Sequence, residues 1–142
     1  MTSKRIKLNI SAPSRGLHEI TSELIGGLKL TGVTNGLMSI FIQHTSASLL
    51  IQENADPSVL EDLESWAKAL VKEDSSLYRH RSEGKDDMPA HIKSALTATN
   101  LNIPIEEGRL MLGTWQGVFL WEHRDTPRVR HLIATILDFE QD

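Results

Sequence analysis

Three runs decide the fold: Leu101-Asn102-Ile103-Pro104-Ile105, Val118-Phe119-Leu120-Trp121-Glu122-His123, and Val129-Arg130-His131-Leu132-Ile133-Ala134-Thr135-Ile136-Leu137-Asp138-Phe139. Each is rich in β-branched and aromatic residues, and turn formers bound them at Glu106-Glu107-Gly108 and Asp125-Thr126-Pro127. Leu110 to Leu112 adds a short strand between the first and second. Connections this short predict antiparallel hairpins, so the last third of the chain reads as an antiparallel β region.

Further back, helices and strands are mixed. Ile6, Leu8 and Ile10 alternate with Lys7 and Asn9, which predicts a strand over about residues 4–10. Leu17, Ile20, Leu24 and Leu28 have helical spacing and predict a helix from Leu17 to Leu30, with Gly26-Gly27 inside it. Leu37 to Ile42 and Ser48 to Gln52 predict two strands. Asp56-Pro57 reads as N-cap and N1 of a helix whose apolar face is Val59, Leu60, Leu63, Trp66, Ala67, Leu70 and Val71. Lys72 to Met88 is polar and aperiodic, longer than the roughly 12–15 residues beyond which a connection is usually functional or disordered. Pro89 opens a third helix with Ile92, Ala95 and Leu96 on its apolar face and Asn100 as its cap. The order predicts a single α+β domain over residues 1–142, a mostly antiparallel β-sheet or sandwich with about three helices.

Composition narrows the function. Fifteen Lys and Arg stand against 19 Asp and Glu, a net charge of −4, which argues against a nucleic-acid partner. There is no cysteine, so disulfides and thiolate chemistry are excluded, while six histidines leave a metal site open. No apolar run has signal-peptide or membrane-span length, so a cytoplasmic location with no membrane partner is expected.

His44 follows Met38, Ile40 and Ile42 at strand spacing, so it falls on their face if the strand continues; the alternative is a histidine hydrogen-bonded to backbone. His91 lies on the border of the third helix's buried face. His80 lies between Arg79 and Arg81, cations that disfavour the imidazolium form. Were the three to converge, an imidazole triad with an open position would suit zinc or a similar divalent ion. Thr114-Trp115-Gln116, between Gly113 and Gly117, reads as a bulge or as a binding loop in which Trp115 stacks on a ring. Arg128 and Arg130 share a strand face, where paired guanidiniums hold phosphate or are balanced by Glu122 or Asp125. His18, His123 and His131 are assigned structural roles.

Five blocks occur in order: His44-Thr45-Ser46-Ala47-Ser48, Glu53-Asn54-Ala55-Asp56-Pro57, Tyr78-Arg79-His80, Asp86-Asp87-Met88-Pro89-Ala90-His91-Ile92-Lys93, and Gly108 to Gly117. Together they closely resemble the YjbQ-like family, often labelled secondary thiamine-phosphate synthase. The resemblance implies a homotrimer with a histidine-lined pocket and a weak ability to make thiamine phosphate from small phosphorylated precursors. It implies His44, His80 and His91 at a metal or anion site, with Asn54 and Asp56 close by. A divalent metal ion, zinc or magnesium, is the expected cofactor, with no organic one. Arg128 or Arg130 would then neutralise departing pyrophosphate, and Thr114, Trp115 and Gln116 would hold a heterocycle. A metal-assisted hydrolase and a non-enzymatic metabolite- or metal-binding protein are the alternatives.

Overall fold

The computed structural model describes residues 1–140 of the 142, so the last two residues of the expected domain lie outside the described residues. The order is β1 (Thr2–Ala12), β2 (Gly16–Glu19), α1 (Thr21–Thr31), β3 (Gly36–Ile42), β4 (Ala47–Glu53), α2 (Pro57–Leu70), a 3-10 turn (Ser75–Leu77), α3 (Asp87–Leu96), β5 (Asn100–Glu106), β6 (Arg109–Leu110), β7 (Gln116–Glu122) and β8 (Arg128–Asp138). The strands form two sheets, β1-β8-β3-β5-β6 and β2-β7-β4, with every pairing antiparallel. The α+β class, the single domain and the three helices agree with the sequence reading.

One core lies between the sheets. Met38, Ile40, Ile42, Ile103, Ile105, Leu132, Ala134 and Ile136 face Ala47, Leu49, Val118 and Leu120, and α1 adds Leu24 and Leu28. The strands of the larger sheet alternate because only one of their faces is in this core. Strand β7 is buried from Gly117 to Glu122, since α2 lies over β2 and α3 over β4 on its far side.

Four expectations are corrected. The helix begins at Thr21, because Gly16–Glu19 pairs with β7 as β2, so Leu17 is a strand residue. Among the described residues, only β5–β6 is a hairpin. Strands β7 and β8, like β3 and β4, are joined by short connections that cross from one sheet to the other. Asp56 and Pro57 do cap α2, with Asp56 accepting from Ser58 N at 2.9 Å. Trp66 and Leu70, however, are 57% and 55% exposed. Helix α3 starts at Asp87 and is capped at Thr97 rather than Asn100. It buries Lys93 and Ser94, leaving Leu96 outside.

Register explains one glycine. A Cβ on Gly36, which pairs with both β5 and β8, would stand 1.9 Å from the Leu137 carbonyl oxygen. That oxygen belongs to a central strand and cannot give way. Gly36→Ala should therefore cost about 3 kcal/mol, at the upper end of overpacking costs, read as a lower urea midpoint at unchanged slope.

Candidate functional site

The two crossing connections lie at the same end of the sandwich, and the N-terminus of α3 closes over them. The β3–β4 connection carries His44 and Thr45; the β7–β8 connection carries His123, Arg124 and Asp125. Within α3, Asp87 and His91 are four residues apart and share a face. His80, from the long polar segment, comes back to meet them.

Three ligand atoms converge. His80 Nε2 is 2.7 Å and His91 Nε2 3.3 Å from Asp87 Oδ2, and the three could hold a metal ion, with all ligand atoms within 4.8 Å of one another. Glu83 Oε2 is 3.0 Å from His80 Nε2. His91 Nδ1–H donates to the Thr45 carbonyl at 3.0 Å, which fixes the tautomer and leaves Nε2 facing Asp87. Arg124 braces the carboxylate from behind: it donates to Asp87 Oδ1 at 2.6 Å, Asp86 Oδ2 at 3.0 Å and the Glu83 carbonyl at 2.9 Å. Burial works against the charge on Asp87, but the bonds and charges of His80, Arg124 and His91 outweigh it and hold the group below the usual carboxylate range. Asp86 is held low against burial in the same way, by the Asp125 backbone N–H and by Arg124.

The neighbours of His80 are thus Glu83 and Asp87, not the flanking arginines that its sequence context suggested. His44 is placed differently from His80 and His91. Strand β3 ends at Ile42, and His44 Nε2 accepts from the His131 backbone N–H at 2.8 Å, while its ring stacks on that of His131. Burial, then the Arg130 and His131 charges, push its pKa down, so it stays neutral. It borders a shallow hollow shared with His91, Ser94 and Thr99, beside the three-residue cluster rather than in it.

Arg130, expected to meet an anion, meets a carboxylate of its own chain. It is buried, and it donates to both carboxylate oxygens of the fully buried Glu122, at 2.7 and 2.5 Å, and to Ser46. The Nε and Nη2 edge of the guanidinium is thus committed within the chain, while Nη1 lies 3.3 Å from His44 Nδ1. Arg128 is less buried and hydrogen-bonds to Thr126. Asn54, Asp56, Thr114, Trp115 and Gln116 gather elsewhere. Asn54 N–H donates to the Trp115 carbonyl, and Gln116 Oε1 accepts from Gly113 N. In the β4–β7 register, Ala47 opposes Glu122 at the histidine end and Glu53 opposes Gln116 at the other. Six residues of strand put the two ends about 20 Å apart. Within one chain, Trp115 and Asn54 do not reach the histidines.

The sequence reading missed Arg124, and it counted Asp87 only as one of four available carboxylates, with Glu53, Asp56 and Asp86, without singling it out. The available signal was the i, i+4 pair Asp87 and His91, hidden once the helix was started at Pro89.

Two antiparallel sheets with α2 and α3 outside one of them, and a two-histidine, one-carboxylate cluster where the chain crosses between sheets, define a small α+β protein with a candidate metal centre. The chain belongs to the YjbQ-like family: the family model described as UPF0047 protein YjbQ-like matches residues 5–138. It is 54% identical over 129 residues to a UPF0047 protein of Synechocystis sp., covering 91% of this chain and 88% of that one. It is 45% identical over 130 residues to the UPF0047 protein YjbQ of Escherichia coli O157:H7, covering 91% and 94%. Among solved structures, a conserved YjbQ/UPF0047 protein from Clostridium acetobutylicum superposes with a TM-score of 0.84 at 32% identity, over 93% of this chain and 99% of that one. A conserved hypothetical protein from Thermus thermophilus gives 0.80 at 38% identity, over 90% and 97%. No helix among the described residues is long and apolar enough to cross a membrane.

Proposed function

We propose that the chain holds a divalent cation between His80, Asp87 and His91 and acts on a small phosphorylated metabolite, joining an aminopyrimidine-methyl diphosphate to a thiazole phosphate to give thiamine phosphate. The observation that carries the metal part is the convergence of two imidazole Nε2 atoms on one buried carboxylate oxygen whose partner oxygen is held by Arg124. In the reaction, the thiazole nitrogen forms a bond to the methylene carbon, the carbon–oxygen bond to diphosphate breaks, and pyrophosphate leaves with the electron pair. A bound divalent ion supplies charge neutralisation to that leaving group. The chain's own part is to orient the ligands through Thr45 and Arg124 and to place the Arg128 charge near His44.

The transferase reading needs Trp115 from a neighbouring copy, because its own lies at the far end of the β4–β7 pair. A homotrimer fits this. The outer face of the larger sheet leaves Phe41 half exposed and Leu37, Ile133 and Leu137 part-exposed in adjoining register, a surface suited to self-association. The same separation favours a second reading, a metal-binding protein without turnover.

The test is one preparation measured three ways. Light scattering should give about three times the 15.9 kDa chain mass. Elemental analysis should find about one divalent ion per chain. Thiamine phosphate formed from both precursors, followed by fluorescence after oxidation, should fall about 100-fold on chelation and return with the ion. His91→Ala and Trp115→Ala should each be inactive alone and regain activity in mixed oligomers. Metal without turnover would replace the transferase with a metal-assisted hydrolase or a binding protein, and a monomer mass would overturn the trimer.

A further inference from the structure

Glu83 borders the cluster of His80, Asp87 and His91 without belonging to it. It comes from the turn just before α3, and its Oε2 lies 3.0 Å from His80 Nε2, beside the Asp87 Oδ2 that lies 2.7 Å from the same nitrogen. An imidazole nitrogen carries at most one hydrogen, so a single donor faces two carboxylate oxygens. His91 gives its Nδ1–H to the Thr45 carbonyl, and the neutral ring then turns the unshared pair of Nε2 toward Asp87 Oδ2 at 3.3 Å. The Glu83 and Asp87 carboxyl groups also lie close enough to act on each other. Two carboxylates and a lone-pair nitrogen thus converge with at most one hydrogen among them, and a cation relieves that excess of acceptors.

The backbone holds Glu83 in this position. Its carbonyl accepts from Arg124 Nη2 at 2.9 Å, and the same guanidinium holds Asp86 and Asp87. Gly84 follows with φ at 111°, a conformation that side chains rarely adopt, and its carbonyl accepts from the Asp87 N–H at 3.3 Å. One arginine therefore fixes both carboxylate-bearing segments relative to each other. The two side chains differ in freedom. Asp87 is 4% exposed and clamped through Oδ1, whereas Glu83 is 63% exposed and lies outside the set of ligand atoms that are all within 4.8 Å of one another. Asp87 is a fixed ligand; Glu83 reaches the ion by a small side-chain rotation and leaves it as easily. Arg79, Arg81 and Lys85, all exposed on the same segment, raise the local positive potential and favour an anion as the group that takes its place.

We propose that Glu83 is a fourth, displaceable ligand of the cation, closing the site while substrate is absent and yielding its place to a phosphate oxygen of the substrate. This role rests on the cation site of His80, Asp87 and His91, and it specifies how the open position of that site is filled and freed.

The test is calorimetric titration of the parent, Glu83→Gln and Glu83→Asp, first with zinc and then, zinc-loaded and freed of excess ion, with inorganic phosphate. Glu83→Gln should bind zinc about 10-fold more weakly and phosphate about 10-fold more tightly, because a ligand that strengthens the hold on the ion by closing over it weakens the incoming anion by the same factor. Glu83→Asp keeps the charge but is one methylene shorter, and should move with Glu83→Gln. Cobalt(II) in place of zinc adds a second readout: Glu83→Gln should start from a visible spectrum different from the parent's, and saturating phosphate should bring the two to the same one. Zinc and phosphate affinities unchanged in Glu83→Gln would overturn the proposal, as would a Glu83→Asp that matches the parent, since charge alone would then account for the effect. A parent that takes up no zinc removes the cation site itself and this role with it. A parent that binds zinc beside an unchanged Glu83→Gln leaves the site standing and removes only the role.

Discussion

Arg130→Met should lower folding stability by about 3–5 kcal/mol, the cost of breaking a buried ion pair from one side. Glu122 is fully buried, and Arg130 is its two-point partner. Removing the guanidinium leaves a carboxylate with the Arg124 backbone N–H as its remaining neighbour and no water to replace the loss. It also frees the Ser46 carbonyl and hydroxyl, which anchor the connection carrying His44. Replacing both partners, with Glu122→Gln added to Arg130→Met, should recover a good part of the loss, because the unpaired charge is gone. Urea unfolding of the four proteins in this cycle gives the coupling directly. An unchanged midpoint with lost turnover would instead return Arg130 to anion binding.

Asp87→Ala should abolish metal binding, with an affinity loss of at least about 100-fold, because it removes the oxygen shared by both imidazoles. Arg124→Ala should cost about 10–100-fold, the usual effect of losing a group that orients a ligand. Isothermal titration with zinc distinguishes the two; equal affinity in Asp87→Ala and the parent would discard the site. The same carboxylates set an acid limit. Asp86 and Asp87 have folded-state pKa values below the ordinary carboxylate value of about 3.9. Their contribution to stability is therefore complete above about pH 4, declines as the pH falls through the unfolded-state value and is lost below the folded one. Asp87→Asn should flatten this acid limb, measured as the urea midpoint between about pH 2 and pH 5.

Much of the fold was legible locally. Alternation in Ile6 to Ile10, the β-branched runs and the Asp56-Pro57 start of α2 each identify an element from a few neighbouring residues, since strand and helix periodicity and capping are short-range properties. The three site histidines singled out from the chain all fall at one end of the molecule, yet His44 spends its acceptor on the His131 backbone, and Asp87 and Arg124 stand where it was expected. Lys93 is charged and on a helix, yet it is buried, which its local sequence does not signal.

The identity and order of the elements and the α+β class follow from adjacent residues, because hydrophobic period and turn chemistry are written there. That β3–β4 and β7–β8 cross between sheets instead of closing hairpins, and so which groups meet at that end, emerges only in the packed molecule. A short turn constrains where the chain reverses, but the sheet a strand joins depends on which distant faces must be buried together. Strand β7 needed cover on both of its faces, β8 on one, and that difference, settled in the assembled core, drew His80, Asp87, His91 and Arg124 into one place.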